Sequence, residues 1–160
     1  MIPATATETA LAALGRIPSG LFVLTACHGD RETGMLASWV QQCSFDPPQV
    51  SVAIRKGRYV LDWLTAGATF TVNVLPEGEK KLVAHFGKGF DEGEEAFAGL
   101  DVRRGEAGPV LSASHAYLEC RVAATHDGGD HVLVVGRVAG GAVQTDGTPA
   151  THVRKSGKHY

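Results

Sequence analysis

Runs of branched and aromatic residues broken by short polar stretches follow one another along most of the chain, at strand lengths. "GLFVLTACHG" (20–29) is one such run, and the polar "DRETG" turns it into a second strand starting near Met35, as in a hairpin. Asp46-Pro47-Pro48 cannot continue a ladder, because each proline lacks an N–H, so a turn is expected there, with "VSVAI" (50–54) as the buried strand that follows. "ATFTVNVL" (68–75) is a further strand. "AYLECRVAATH" (116–126) and "HVLVVGRVAGGAV" (131–143) flank "DGGD", which carries the glycine that hairpin turns favour.

Helical spacing is confined to short pieces. Residues 5–14 predict a helix, with Thr5 and Glu8 spaced as a capping box and Gly15 and Pro18 ending it. "GRYVLDWLTAG" has apolar residues at 60, 61, 63 and 64 and a stop at Gly67, and "EGEKKLVAHFGKG" predicts a third helix closed by glycines. Residues 87–109, rich in glycine and acidic residues, are expected to form a long surface excursion. Six or seven strands in hairpin order, two or three short inserted helices and no alternating βα units predict a mainly β, antiparallel barrel. No repeat or linker divides the chain, so residues 1–160 are read as one domain.

Within "GMLASWVQQCSFDPPQVSVAI" (34–54), Ser38, Gln41, Gln42, Cys43 and Ser44 stand where a plain core would carry Val or Leu. Such a row either faces water or meets a flat polar ligand, to which small residues and amides allow close, directed contact. Arg55, Lys56 and Arg58 surround Gly57 just before a helix: an anion site, or a solvated charge cluster. Asn73 interrupts a strong strand, so its amide is either paired with the neighbouring chain or aimed at a ligand. His126, Asp127, Asp130 and His131 could be read as metal ligands, but their spacing matches no closed zinc pattern and no thiolate lies nearby, so no metal is assigned. The chain has no G-x-S-x-G, no P-loop and no G-x-G-x-x-G after a strand, which leaves hydrolytic triads and dinucleotide-binding folds without support.

Composition narrows the class. At 160 residues with 44% hydrophobic and 20% charged, the chain is long enough to bury a core and too apolar to be largely disordered. A net charge of −2 lacks the basic excess that nucleic-acid binding needs, and a basic tail on such a chain supplies little counterion release. No apolar run has membrane-span length and no leader pattern opens the sequence, and three scattered cysteines suit free thiols, so a soluble cytoplasmic protein is expected.

In order along the chain, "GMLASWVQQCSFDPPQVSVAIRKGRY", "FTVNVL", "AHFGKG", "GDHVLVVGRV" and "HVRKSGKHY" resemble the flavin reductase-like domain, an FMN-binding split barrel of Greek-key type found alone or as the C-terminal module of some flavodiiron proteins. The resemblance runs from about Leu14 to Tyr160. It implies that Ala37, Ser38, Trp39, Val40, Gln42, Cys43 and Ser44 line FMN, that Arg55, Lys56 and Arg58 hold its phosphate, and that Tyr59 also binds the cofactor. Asn73 would sit near the flavin edge, and His85, Phe86, Gly87 and Lys88 would close the pocket. The tail with Arg154 and Tyr160 would fold over the site, and His131 would face the place where a nicotinamide stacks and act there catalytically.

The implied activity is hydride transfer from NADH or NADPH to FMN, with the cofactor carrying the hard step. A homodimer is implied too, and reduced flavin would be passed to a monooxygenase or electron-transfer partner. The competing expectations are an FMN-bound electron carrier that reacts poorly with nicotinamides, and a related split barrel holding haem or a pyridoxal compound.

Overall fold

The structure is a computed structural model that describes residues 4–160, with side chains from Thr7 onward. The capping box expected at Thr5 and Glu8 therefore falls, at its Thr5 side chain, outside the described residues.

The elements run α1 (Ala4–Leu14), β1 (Ser19–Gly20), β2 (Phe22–His28), β3 (Arg31–Ala37), β4 (Val40–Phe45), β5 (Pro48–Arg55), α2 (Tyr59–Thr65), β6 (Thr69–Val74), α3 (Lys80–Gly87), β7 (Val102–Arg104), β8 (Pro109–Leu111), β9 (Ala116–Gly128), β10 (His131–Val143) and β11 (Thr151–His152). Seven strands make one antiparallel sheet in the order β3-β2-β6-β9-β10-β5-β4. Three of its pairs are sequential hairpins, β2–β3, β4–β5 and β9–β10. The β5-to-β6 connection carries α2 across the sheet, and that non-local step gives the Greek-key order.

The two edge strands, β3 and β4, are joined by Ser38 and Trp39 alone. Consecutive Cα atoms are about 3.8 Å apart, so Ala37 and Val40 are within about 11 Å of each other. A seven-stranded sheet meets that condition only by curling until its edges face. The edges do not pair: Trp39 C=O accepts from Ala53 N–H instead, on β5. The barrel is split along the β3/β4 seam.

Turn chemistry sets the register at the other end of β4. Asp46 and Pro47, joined by a cis peptide, form the turn, and Phe45 faces Pro48, which begins β5 where a missing N–H does least harm. Gly67, at φ +94°, ends the α2 region in the left-handed conformation that glycine adopts freely.

Inside the barrel, Leu24, Val52, Ile54, Phe70, Val72 and Val134 pack with Val60, Leu61, Trp63 and Leu64 of α2, all buried. Each such side chain contributes roughly 1.5–3 kcal/mol. Gly136 of β10 makes room for one of them, since a Cβ there would lie 2.4 Å from Phe70 Cζ. A second apolar cluster covers the other face of β2, where Val23 and Leu75 meet Leu82, Phe86, Ala96 and Phe97. That cluster corrects the expectation for residues 87–109. The segment is pinned: Ala96 and Phe97 are buried, Glu92 pairs with Arg31 and accepts from Trp63 Nε1, and β7 and β8 form a small hairpin.

Candidate active site

The seam encloses a cavity of about 320 Å³. One wall is β3 and the link, from Gly34 to Trp39; another is Ala53 and Arg55 of β5. Those two β5 residues face outward because Val52 and Ile54, at alternate positions, fill the barrel interior. Arg58, Tyr59 and Val60 come from the start of α2, and Val83, Phe86 and Gly87, at helical spacing on one face of α3, close the apolar side with Phe90. Tyr59 is oriented by a hydrogen bond between its hydroxyl and Thr33 Oγ1.

Of the residues expected around a ligand, Ala37, Ser38, Trp39, Arg55, Arg58, Tyr59, Phe86, Gly87 and Tyr160 line this cavity. Val40, Gln42, Cys43 and Ser44 do not. β4 runs antiparallel to β5, so each step along it leads away from the Ala53–Arg55 end. Val40 packs on the barrel core, Gln42 and Cys43 are exposed, and the register shift between Gln42 and Ser44 falls at Cys43. Gln41 is exposed as well, and Ser44 is half-buried.

Lys56 also turns away, its ammonium 2.7 Å from Asp127 Oδ2, a bond that holds the Asp127 carboxyl below the usual carboxylate range. Asn73 takes the first of its two expected roles. Its Nδ2 donates to Val23 O and Thr25 Oγ1, its Oδ1 accepts from Leu111 N–H at 2.9 Å, and it is fully buried between strands. His85 lies off the cavity face of α3, with Nε2 2.7 Å from Ala96 O, and Lys88 rests its ammonium over Phe90. His126, Asp127, Asp130 and His131 do not converge: among the described residues no three such groups are placed to hold a metal ion.

An aromatic cluster forms the rim. Trp39 lies 4.8 Å from His131 and 5.3 Å from Tyr160, centroid to centroid, with the Arg154 guanidinium 5.0 Å from its ring. His131 is 8% exposed, its Nδ1 2.7 Å from Asp130 Oδ1 and its Nε2 hydrogen-bonded to the Tyr160 hydroxyl. That contact with His131 holds the Asp130 carboxyl below its ordinary range. His131 reaches the cavity through Trp39 and Tyr160, which line it. Away from the cavity, burial pushes the Cys120 thiol up to about 12 and also raises that of Cys27.

Leu21, Met35, Leu36, Ala53, Val83 and Phe90 also line the cavity and were not singled out by the sequence. Met35, Leu36 and Ala53 sit in apolar strands that read as core, and only the curl of the sheet shows that their faces meet at the seam. A pointer existed for Ala53, a small residue at an outward position of "VSVAI".

The model of the flavin reductase like domain matches residues 14–159. The diflavin flavoprotein A 1 of Synechocystis is 41% identical over 92% of the chain, which spans only 26% of that relative. Among solved structures, the NADH:FAD oxidoreductase SgcE6 of Streptomyces globisporus superposes with a TM-score of 0.84 at 26% identity, covering 96% of this chain and 92% of its own. Component B of nitrilotriacetate monooxygenase from Mycobacterium thermoresistibile gives 0.81 at 29% identity, covering 95% and 84%. With the antiparallel split barrel and its seam cavity, these matches show that the chain belongs to the flavin reductase like domain family of oxidoreductases.

Proposed function

We propose that this chain is an NAD(P)H-dependent flavin reductase that holds FMN in the seam cavity. The observation that carries the reading is the polarity of the cavity: an apolar wall of Met35, Val83, Phe86 and Phe90 faces small residues, while Arg55 and Arg58 enter from one side. That combination fits a flat ring system with an anionic arm. The two guanidinium groups among the lining residues can clamp the terminal phosphate of FMN.

In this reading Arg55 and Arg58 hold the phosphate, and the Ser38 hydroxyl is available to the polar edge of the ring. Phe86 and Phe90 keep water from one face. Bound flavin supplies the hydride-accepting chemistry. The chain contributes alignment and exclusion of water, with His131 and its partners at the rim where a second ring can approach. The likeness to SgcE6 and to a monooxygenase component supports a nicotinamide donor and delivery of reduced flavin to an oxygenase. A homodimer accords with Phe45, 90% exposed at the tip of the unpaired edge hairpin. The three free cysteines accord with the reducing cytoplasm. Among the described residues no helix is long and apolar enough to cross a membrane.

The test is an anaerobic absorption titration. Purified protein is loaded with FMN or FAD and then mixed with NADH or NADPH. Rapid bleaching of bound FMN is the expected result, and the faster nucleotide is the donor. Flavin that binds and stays yellow would make the chain a carrier; failure to bind flavin would remove the cavity assignment.

A further inference from the structure

Tyr160 stands between the cavity and His131. Its ring lines the cavity and packs on Trp39, and its hydroxyl bonds His131 Nε2. The far side of the imidazole is fixed by Asp130, 2.7 Å from Nδ1. A carboxylate only accepts, so Nδ1 carries the hydrogen, and in the neutral ring Nε2 is left as an acceptor. Tyr160 is the donor that meets it.

The two partners are held very differently. His131 is 8% exposed, whereas Tyr160 is 64% exposed. The segment that carries Tyr160 is tied to α1 and the residue after it, by Gly157 N–H to Leu11 O and Arg154 N–H to Gly15 O. The Arg154 guanidinium also donates to His159 O, at 3.3 Å. Tyr160 itself is held by the His131 bond and by ring contacts with Trp39 and His131. A buried acceptor is thus covered by a largely exposed aromatic donor, at the rim of an apolar cavity.

We propose that Tyr160 is a displaceable occupant of a ring-binding place, and that an incoming planar ring bearing a primary carboxamide takes its position against Trp39 and donates an amide N–H to His131 Nε2. The inference rests on the reading of the cavity as a flavin site, and it gives that site a specificity. The favoured ligand is the ring end of a nicotinamide nucleotide; its carboxylic acid analogue has no N–H to offer Nε2. Asp130 is the positioning residue, acting through the tautomer it imposes on His131.

The test uses FMN-loaded protein, wild type and the variants Tyr160→Ala, Tyr160→Phe and Asp130→Asn. Oxidised nicotinamide mononucleotide and nicotinic acid mononucleotide serve as probes that do not turn over. Binding is read by calorimetry, and the tyrosine rings by isotope-edited NMR, with the Tyr160 signal identified by its loss in Tyr160→Phe. Three tyrosines keep that spectrum simple.

Binding of nicotinamide mononucleotide is expected to shift the Tyr160 ring signal to a solvent-exposed position. Tyr160→Ala should bind the probe more tightly, about tenfold if the ring covers the place nine-tenths of the time. Asp130→Asn can donate to Nδ1 and turn Nε2 into a donor, so preference should swing from the amide towards the acid. An unmoved Tyr160 signal, or a Tyr160→Ala variant that takes up FMN yet binds the probe no tighter, would overturn the exchange alone. Failure of the wild type to bind FMN would bring down the flavin reading, and the exchange with it.

Discussion

Asn73 sutures three backbone segments, donating to Val23 O and accepting from Leu111 N–H while it also meets the Thr25 hydroxyl. Asn73→Leu keeps the branched shape but takes the amide partner from the buried Leu111 N–H and Val23 C=O, so a loss of about 2–3 kcal/mol is expected in denaturant unfolding. A midpoint equal to that of the wild type would contradict the role. Tyr160 makes a second prediction at this scale. Burial pushes its phenol above the ordinary value, with Arg55 pulling the other way and Asp130 adding to the rise. The docked ring therefore stabilises the fold fully below the ordinary phenol pKa, and that contribution is lost as pH rises through the raised folded value. In tyrosinate absorbance, the difference between wild type and Tyr160→Phe should titrate later than free tyrosine.

Hairpins were legible in the chain because period-two alternation and proline or glycine turns are local signals, as in Asp46-Pro47 and "DGGD". The same holds for Arg55 and Arg58 at the junction of β5 and α2, both of which face the cavity. Lys56 lies between them and points elsewhere, which only the alternation of a real strand end decides. The pinned segment after α3 was not legible. Its anchors, Ala96 and Phe97, are isolated apolar residues among glycine and glutamate, and their burial depends on α3 and β2, far away in sequence. Phe97 packs on Phe86 at a centroid distance of 5.9 Å, and Phe86 lines the cavity. Phe97→Ala should cost about 3 kcal/mol and also weaken FMN binding. Unchanged FMN affinity in a folded variant would separate the segment from the site.

At the scale of the whole molecule, β3 and β4 are the strands of the seven-stranded sheet with a single neighbour, and β4 ends in the exposed Phe45. A monomer would leave a free ladder edge and an exposed ring side by side, which invites a second copy. Phe45→Asp is expected to lower the mass seen by light scattering from dimer to monomer at unchanged far-ultraviolet dichroism. A monomeric wild type would dismiss the homodimer.

The link of Ser38 and Trp39 is also a measuring device. Its length fixes how far apart the facing edges stand, and its parity fixes which side of β4 looks inward. One added residue would widen the gap by a few ångströms and turn Val40, now packed on the core, out to the solvent. Chain variation can therefore be absorbed in the Asp46-Pro47 tip, but not here. The gauge of the cleft is written in a residue count rather than in the chemistry of its walls.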